Sequence, residues 1–231
     1  MTERQIIPFG GLRHTQRVHP IIDYALTATG KSRVRVCTLA TASGDASGAI
    51  YRNWFPPERT WVTQLLLFDR TVDDLTDFLC DQDLIFVGGG NTLNMLAVWR
   101  AHGVDVALRA AWEAGVVLTG GSAGGLAWYE CGTTDSYSLD RLEPLRDGLG
   151  FLPGSHCPHY DGEAQRRPLY HKLVASGFPA GIAMDDDAAV RYVGTEIAEI
   201  VSAREEAGVY RVEPDGENVV RETRLEARLL G

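Results

Sequence analysis

Residues 116–130 read VVLTGGSAGGLAWYE. A β-prone run, Val116–Leu118, meets Gly120-Gly121-Ser122-Ala123-Gly124, and an apolar, helix-compatible segment follows. A strand that turns into a helix through small residues is a unit of an α/β sheet. It is also the G-x-S-x-G pattern, in which a sharp turn lifts a serine above the sheet edge. On this stretch alone two readings stay open: a glycine turn with a serine cap, and a nucleophile. A nucleophile needs an exposed turn, a base and donors for the oxyanion. The helix after Ser122 aims free N–H groups at the turn, and the N–H of Ala123 is the natural donor.

The same punctuation recurs upstream. Gln5–Gly10 reads as a short strand ending in glycines, and Arg33–Leu39 and Trp61–Phe68 read as further strands. Leu84–Val87 is a buried strand running into Gly88-Gly89-Gly90. Helical spacing covers Val18–Thr29, a segment capped by Thr71 through Leu79, Asn91–Ala101 and Val104–Ala114. This alternation predicts an α/β fold with a mostly parallel sheet flanked by helices on both faces. Ligands of such sheets sit beyond the carboxyl ends of the strands, so both glycine clusters should share one edge. Residues 42–60 read as a loop over a site or a partly helical segment. Residues 131–165, rich in Gly, Pro, Asp and Ser, read as loops and turns. Leu169–Ser176 fits a helix. Gly181–Tyr192, Ile197–Ser202 and Gly208–Val212 fit late strands, and the final RETRLEARLL fits strand or helix. No repeat or linker breaks the chain, so residues 1–231 read as a single α/β domain.

The net charge of −9 argues against a nucleic-acid binder, which needs a basic footprint. No apolar run reaches the ~18–20 residues of a membrane span. The N-terminus lacks a signal-peptide pattern. Cys37, Cys80, Cys131 and Cys157 follow no disulfide framework. These features point to a cytoplasmic protein with ordinary thiols.

Gly88–Asn91 lacks the spacing of a dinucleotide site and the Lys-Ser/Thr of a P-loop. It fits either tight packing or a glycine N–H facing an oxyanion beside Ser122. Among the histidines, His14 and His19 lie in a polar N-terminal stretch and read as surface residues. His102 precedes Gly103 at a helix end. GSHCPHYDGE offers His156 and His159 as bases; with Cys157 and Asp161 it falls short of a standard zinc spacing. Asp185-Asp186-Asp187 reads either as a solvated turn or as a strand-end carboxylate facing a histidine, and Asp135 is a second candidate acid.

Taken in order, FVGGGNTLNML, LTGGSAGGLA, FLPGSHCPHYD and GIAMDDDAAV, over roughly residues 80–192, resemble the dipeptidase E and cyanophycinase family of serine peptidases. The resemblance implies a flavodoxin-like or class I glutamine-amidotransferase-like sheet with antiparallel additions near the C-terminus. It implies a Ser-His-acid triad in that chain order, falling on Ser122, His159 and Asp186, with Gly90 and Ala123 as oxyanion donors. The family acid is commonly glutamate, whereas this chain has aspartate. Asn91, Gln165 and Arg166 are its candidate substrate-binding residues. Gln165 stands where the family's aspartyl dipeptidases carry an arginine, one residue short of Arg166, which leaves the substrate side chain open.

The activity implied is hydrolysis of dipeptides or short peptides through an acyl-enzyme, with no cofactor and no metal. A homo-oligomer is compatible with it. The alternatives are a small-molecule or peptide-binding protein on the same fold, and an esterase or amidase using the same triad.

Overall fold

In the computed structural model, residues 3–13, 18–138 and 141–231 are described; His14 lies outside them. Strand β1 (Gln5–Phe9) is buried along its whole length. Helix α1 (Pro20–Ala28) begins with proline, whose missing N–H costs nothing at that position. His19 caps α1, its Nδ1 accepting the Ile21 N–H at 3.2 Å. It is buried at 6% exposure, not on the surface. Its polar neighbours in sequence concealed that role.

Strand β2 (Val34–Leu39) leads into a 3-10 turn at Thr41–Ser43 and the short helix α2 (Gly48–Arg52). Residues 42–60 are thus partly helical. Strand β3 (Thr60–Leu65) precedes α3 (Leu75–Cys80). The cap of α3 is Asp74, not Thr71, because its carboxylate accepts the Asp77 N–H at 2.9 Å. Strand β4 (Leu84–Val87), α4 (Thr92–His102), α5 (Val104–Ala114) and β5 (Val117–Gly121) complete the alternating half.

Beyond Ser122 come α6 (Ala123–Leu126), β6 (Tyr129–Ser138), β7 (Arg141–Leu145) and β8 (Leu152–Cys157). The stretch expected as loops and turns is therefore largely strand. Its buried positions include Thr133, Thr134 and Ser155, so the apolar pattern is missing there. These hydroxyls are satisfied internally: Thr133 Oγ1 lies 3.0 Å from Cys157 Sγ, and Ser155 Oγ lies 2.7 Å from the Tyr170 hydroxyl. Helix α7 (Arg166–Ala175) starts earlier than its apolar spacing indicates. The stretch Gly181–Tyr192 splits into β9 (Gly181–Met184) and β10 (Ala188–Val193). Strands β11 (Glu196–Ser202), β12 (Val209–Pro214), β13 (Val220–Leu225) and β14 (Arg228–Leu229) follow. The ambiguous C-terminus is strand.

Two sheets result. The larger runs β14-β11-β10-β1-β5-β4-β2-β3, and the smaller runs β13-β12-β9-β8-β6-β7. In the larger, β1, β5, β4, β2 and β3 are mutually parallel, and β10 and β11 join antiparallel at the β1 side. Alternating residues of each strand face opposite layers. Ile6, Ile85 and Leu118 pack with α3, α4 and α5, whereas Ile7, Phe86 and Val117 pack with α1 and α2. The first cluster continues through Trp128 and Tyr129 to Leu152, Met184 and Val209, so the two sheets share it. Register sets Phe9 beside Gly121, and both Pro8 and Val87 beside Gly120. The carboxyl ends of β1, β4 and β5 therefore come out level.

Trp99 of α4 has no exposed surface, and its Nε1 donates to Thr41 Oγ1 at 3.1 Å. It fastens the turn after β2 to the helix after β4. Trp99→Ala is expected to cost about 3–5 kcal/mol, the usual range for a fully buried tryptophan. The urea-denaturation midpoint reads this directly.

Candidate active site

The chain leaves the larger sheet at the end of β5 and enters the smaller one at β6. Ser122 sits at that exit with φ 54° and ψ −121°. A non-glycine residue there stores about 1–3 kcal/mol of strain. The strain is held from both sides: the Ser122 N–H donates to Gly10 O at 3.3 Å, and its carbonyl accepts from Gly125 and Leu126. The flanking glycines are required by space. A Cβ on Gly124 would lie 2.2 Å from the Val87 carbonyl oxygen, and one on Gly121 would run into the Phe9 ring. The result is a sharp turn with a half-buried serine at its tip.

Beside it stands the end of β4. A Cβ on Gly89 would lie 3.2 Å from Ser122 Cβ, so the glycine backbone passes directly against the serine. Gly90 follows with φ 137°, under the Ala42 carbonyl. Ala123 opens α6, where its N–H belongs to the first turn and has no helical acceptor.

His159 comes from the smaller sheet, two residues past β8, also with a positive φ of 51°. Its Nδ1 lies 2.6 Å from Asp186 Oδ1. Asp186 is the middle residue of the turn by which the chain passes back from β9 in the smaller sheet to β10 in the larger. An aspartate is short, and close backbone approach makes up the length. A Cβ on Gly11 would lie 2.3 Å from Asp186 Oδ1 and 2.5 Å from His159 Cε1, so the pair rests on bare backbone.

The three successive carboxylates are separated by their partners. Asp185 is buried and accepts the Gly208 N–H at 2.8 Å. Burial pushes its carboxyl up to about 6 despite that hydrogen bond. Asp187 turns the other way and meets His19 Nε2 at 3.2 Å, the Arg13 N–H at 3.0 Å and Arg204 Nε at 3.2 Å. Asp186 also meets Arg13 Nε at 3.4 Å. Burial works to raise both Asp186 and Asp187, but the histidine and arginine partners outweigh it and hold them below the ordinary carboxylate range.

The other candidates lie elsewhere. Asn91 caps α4, its Oδ1 accepting the Asn94 N–H and its Nδ2 donating to Ser136 O, both at 2.9 Å. Gln165 is exposed at the start of α7. Arg166 is buried against Glu163 and the Thr133 carbonyl. Asp135 is exposed on β6. His156 is fully buried and stacked on Tyr129, with Nδ1 donating to Ile182 O at 2.8 Å. Burial pulls it down to about 3, so it stays neutral.

Ser122 and His159 open on one cavity of about 180 Å³, whose other walls are Phe9, Leu12, Tyr51, Trp54 and Phe86. A larger groove of about 850 Å³ runs along β3 and α3, but its lining has neither serine nor histidine. Sequence reasoning passed over Gly10, Gly11, Arg13 and Arg204. The visible signal was the pair of glycines ending the first strand, a third cluster at the same edge.

Two expectations follow. In Gly11→Ala the added methyl displaces the His159–Asp186 pair. Turnover, read as kcat/KM, should fall about 100-fold, as for a 1 Å misplacement, with the far-UV spectrum unchanged. The second concerns pH. Asp186 and Asp187 are depressed, so their contribution to stability is present above the ordinary value of 3.8 and is lost as pH falls through the folded values. Asp185 has the opposite sign. Its contribution is present below its ordinary value of 3.8 and is lost as pH rises through about 6. Asp185→Asn should therefore flatten the pH dependence of the denaturation midpoint between about 4 and about 6.

Peptidase family S51 matches residues 6–200. The chain is 40% identical over 233 residues to the uncharacterized peptidase YgaJ of Bacillus subtilis (strain 168), covering 99% of this chain and 100% of that one. Its fold is similar to the crystal structure of a peptidase from an acI-B1 Actinobacterium, with a TM-score of 0.67 at 16% identity, over 97% of this chain and 95% of the other. A structure from Listeria monocytogenes EGD-e that bears the peptidase E name gives 0.60 at 17% identity, over 97% and 100%. These two structures speak for the fold, including its mixed α/β sheet with antiparallel strands. The family match and the Bacillus relative go further: the chain belongs to peptidase family S51 and is a serine-type peptidase.

Proposed function

We propose that the protein hydrolyses dipeptides or short peptides through an acyl-enzyme on Ser122, with His159 as base and Asp186 as the acid that orients it. One observation carries this reading. The 2.6 Å bond to Asp186 occupies His159 Nδ1 and leaves Nε2 for the serine on the shared cavity.

His159 Nε2 takes the hydroxyl proton as Ser122 Oγ bonds to the peptide carbonyl carbon. The carbonyl oxygen becomes an oxyanion, facing the N–H groups of Ala123 and Gly90. Asp186 keeps the proton on Nδ1 in the neutral ring and stabilises the imidazolium that forms. When the C–N bond breaks, Nε2 returns the proton to the leaving amine. Water then attacks the ester, giving its proton to Nε2. Collapse releases the carboxylic acid and returns that proton to Ser122. A low carboxyl value for Asp186 suits this role, because the group stays ionised throughout. The free thiols of Cys37, Cys80, Cys131 and Cys157 fit a reducing, cytoplasmic setting.

The test is steady-state kinetics on a dipeptide panel. Ser122→Ala should lower kcat by at least about 10³-fold, and Asp186→Asn by about 10²–10⁴-fold with KM little changed. Undiminished turnover by Ser122→Ala would refute the reading.

A further inference from the structure

We infer that the residue whose carbonyl is attacked carries a large apolar side chain, preferably aromatic, which enters the cavity beside Ser122. The inference rests on the serine-peptidase reading above and adds the substrate class.

Four aromatic rings wall this cavity. Phe9, Tyr51 and Phe86 are nearly fully buried, and Trp54 is half-buried. They are already in contact: Tyr51 and Trp54 centroids lie 5.0 Å apart at 66°, Tyr51 and Phe86 5.2 Å apart at 63°, and Trp54 and Phe86 5.7 Å apart at 77°. These are edge-to-face arrangements, and a substrate ring laid against the cluster would meet both faces and edges. About 180 Å³ is small for a whole ligand site and suits one side chain.

Ser122 lines the cavity together with His159 and Gly11, and the residue bonded to Ser122 in the acyl-enzyme is the one held against it. Gly89 and Gly121 line it, and they flank Ser122. An acyl group on Ser122 Oγ has its Cα one bond from the carbonyl carbon, next to those glycines. The leaving residue's Cα is one atom further away, across the amide nitrogen that His159 must protonate.

An acidic side chain fits poorly here. Among the described residues lining the cavity there is no lysine or arginine. Three of the described cations around the joint are engaged elsewhere: Arg13 on Asp161 and Asp186, Arg204 on Asp161 and Asp187, and Arg166 on Glu163. A carboxylate among these rings would lose its hydration with no lysine or arginine of the lining beside it.

The experiment measures kcat/KM of the purified protein on Phe-Ala, Leu-Ala, Ala-Ala and Asp-Ala, and on the reversed series Ala-Phe and Ala-Asp. Phe-Ala should exceed Ala-Ala by at least about tenfold and Asp-Ala by about 100-fold. Trp54→Ala should lower kcat/KM for Phe-Ala about tenfold, and for Ala-Ala much less. Faster cleavage of Asp-Ala than of Phe-Ala, still abolished by Ser122→Ala, would overturn the pocket assignment and leave the serine-peptidase reading intact. A ring preference confined to the leaving residue would also overturn it. Turnover that survives Ser122→Ala, or no turnover of any dipeptide, removes both.

Discussion

Three adjacent carboxylates occupy the single tight turn between β9 and β10, and like charges this close repel unless each is neutralised separately. The turn achieves this by pointing Asp185, Asp186 and Asp187 into different surroundings. Asp185 enters the smaller sheet and takes a backbone N–H. Asp187 turns toward α1 and meets His19 and Arg204. Asp186 is left facing His159 and Arg13. The reach of the histidine is thereby set by charge separation in the turn. The segment after β1 completes the arrangement: Gly11 O accepts the Asp187 N–H at 2.8 Å, and Gly10 O accepts the Ser122 N–H at 3.3 Å. Two consecutive peptides thus tie the acid turn to the serine turn.

The backbone carries a related cost. Ser122, His159 and Asp187 all have positive φ, at 54°, 51° and 67°. Each would relax if isolated, at about 1–3 kcal/mol of strain apiece. None is free to do so. Ser122 and Asp187 bridge the two sheets, and His159 is pinned through its carbonyl by the N–H groups of Gly162 and Glu163. The rigidity of the shared core is what keeps these conformations populated.

The alternating half of the chain was legible because its signals are local. A β-prone run followed by glycine marks β1, β4 and β5 within a few residues, and the motif order carried the family. Of the smaller sheet, β9 and β12 were legible as late strands, whereas β6, β7 and β8 were not. Its buried positions include hydroxyl residues, Thr133 bonded to Cys157 and Ser155 to Tyr170, so neither hydrophobic period nor turn residues announce β6 and β8. The counter-charges of the acid turn were hidden by distance in the chain: Arg13 and Asp187 are 174 residues apart. The family resemblance offers Asn91 and Arg166 as substrate contacts, and a resemblance carries positions without their local partners. In the fold, one is consumed by a helix cap and the other by an ion pair.

The walls of the cavity have two origins: Phe9 and Phe86 belong to β1 and β4, and the rest of the aromatic wall comes from outside the sheets. Ser122 and His159 stand at strand ends fixed by sheet pairing, whereas Tyr51 lies in α2 and Trp54 just after it. That segment contributes to neither sheet. Surface connections of this kind tolerate insertion and replacement far better than paired strands do. On the proposed reading, exchange of the 48–54 segment would therefore reshape the Tyr51 and Trp54 side of the cavity and leave Ser122 and His159 in place, so substrate choice and turnover would answer to separable pieces of the gene.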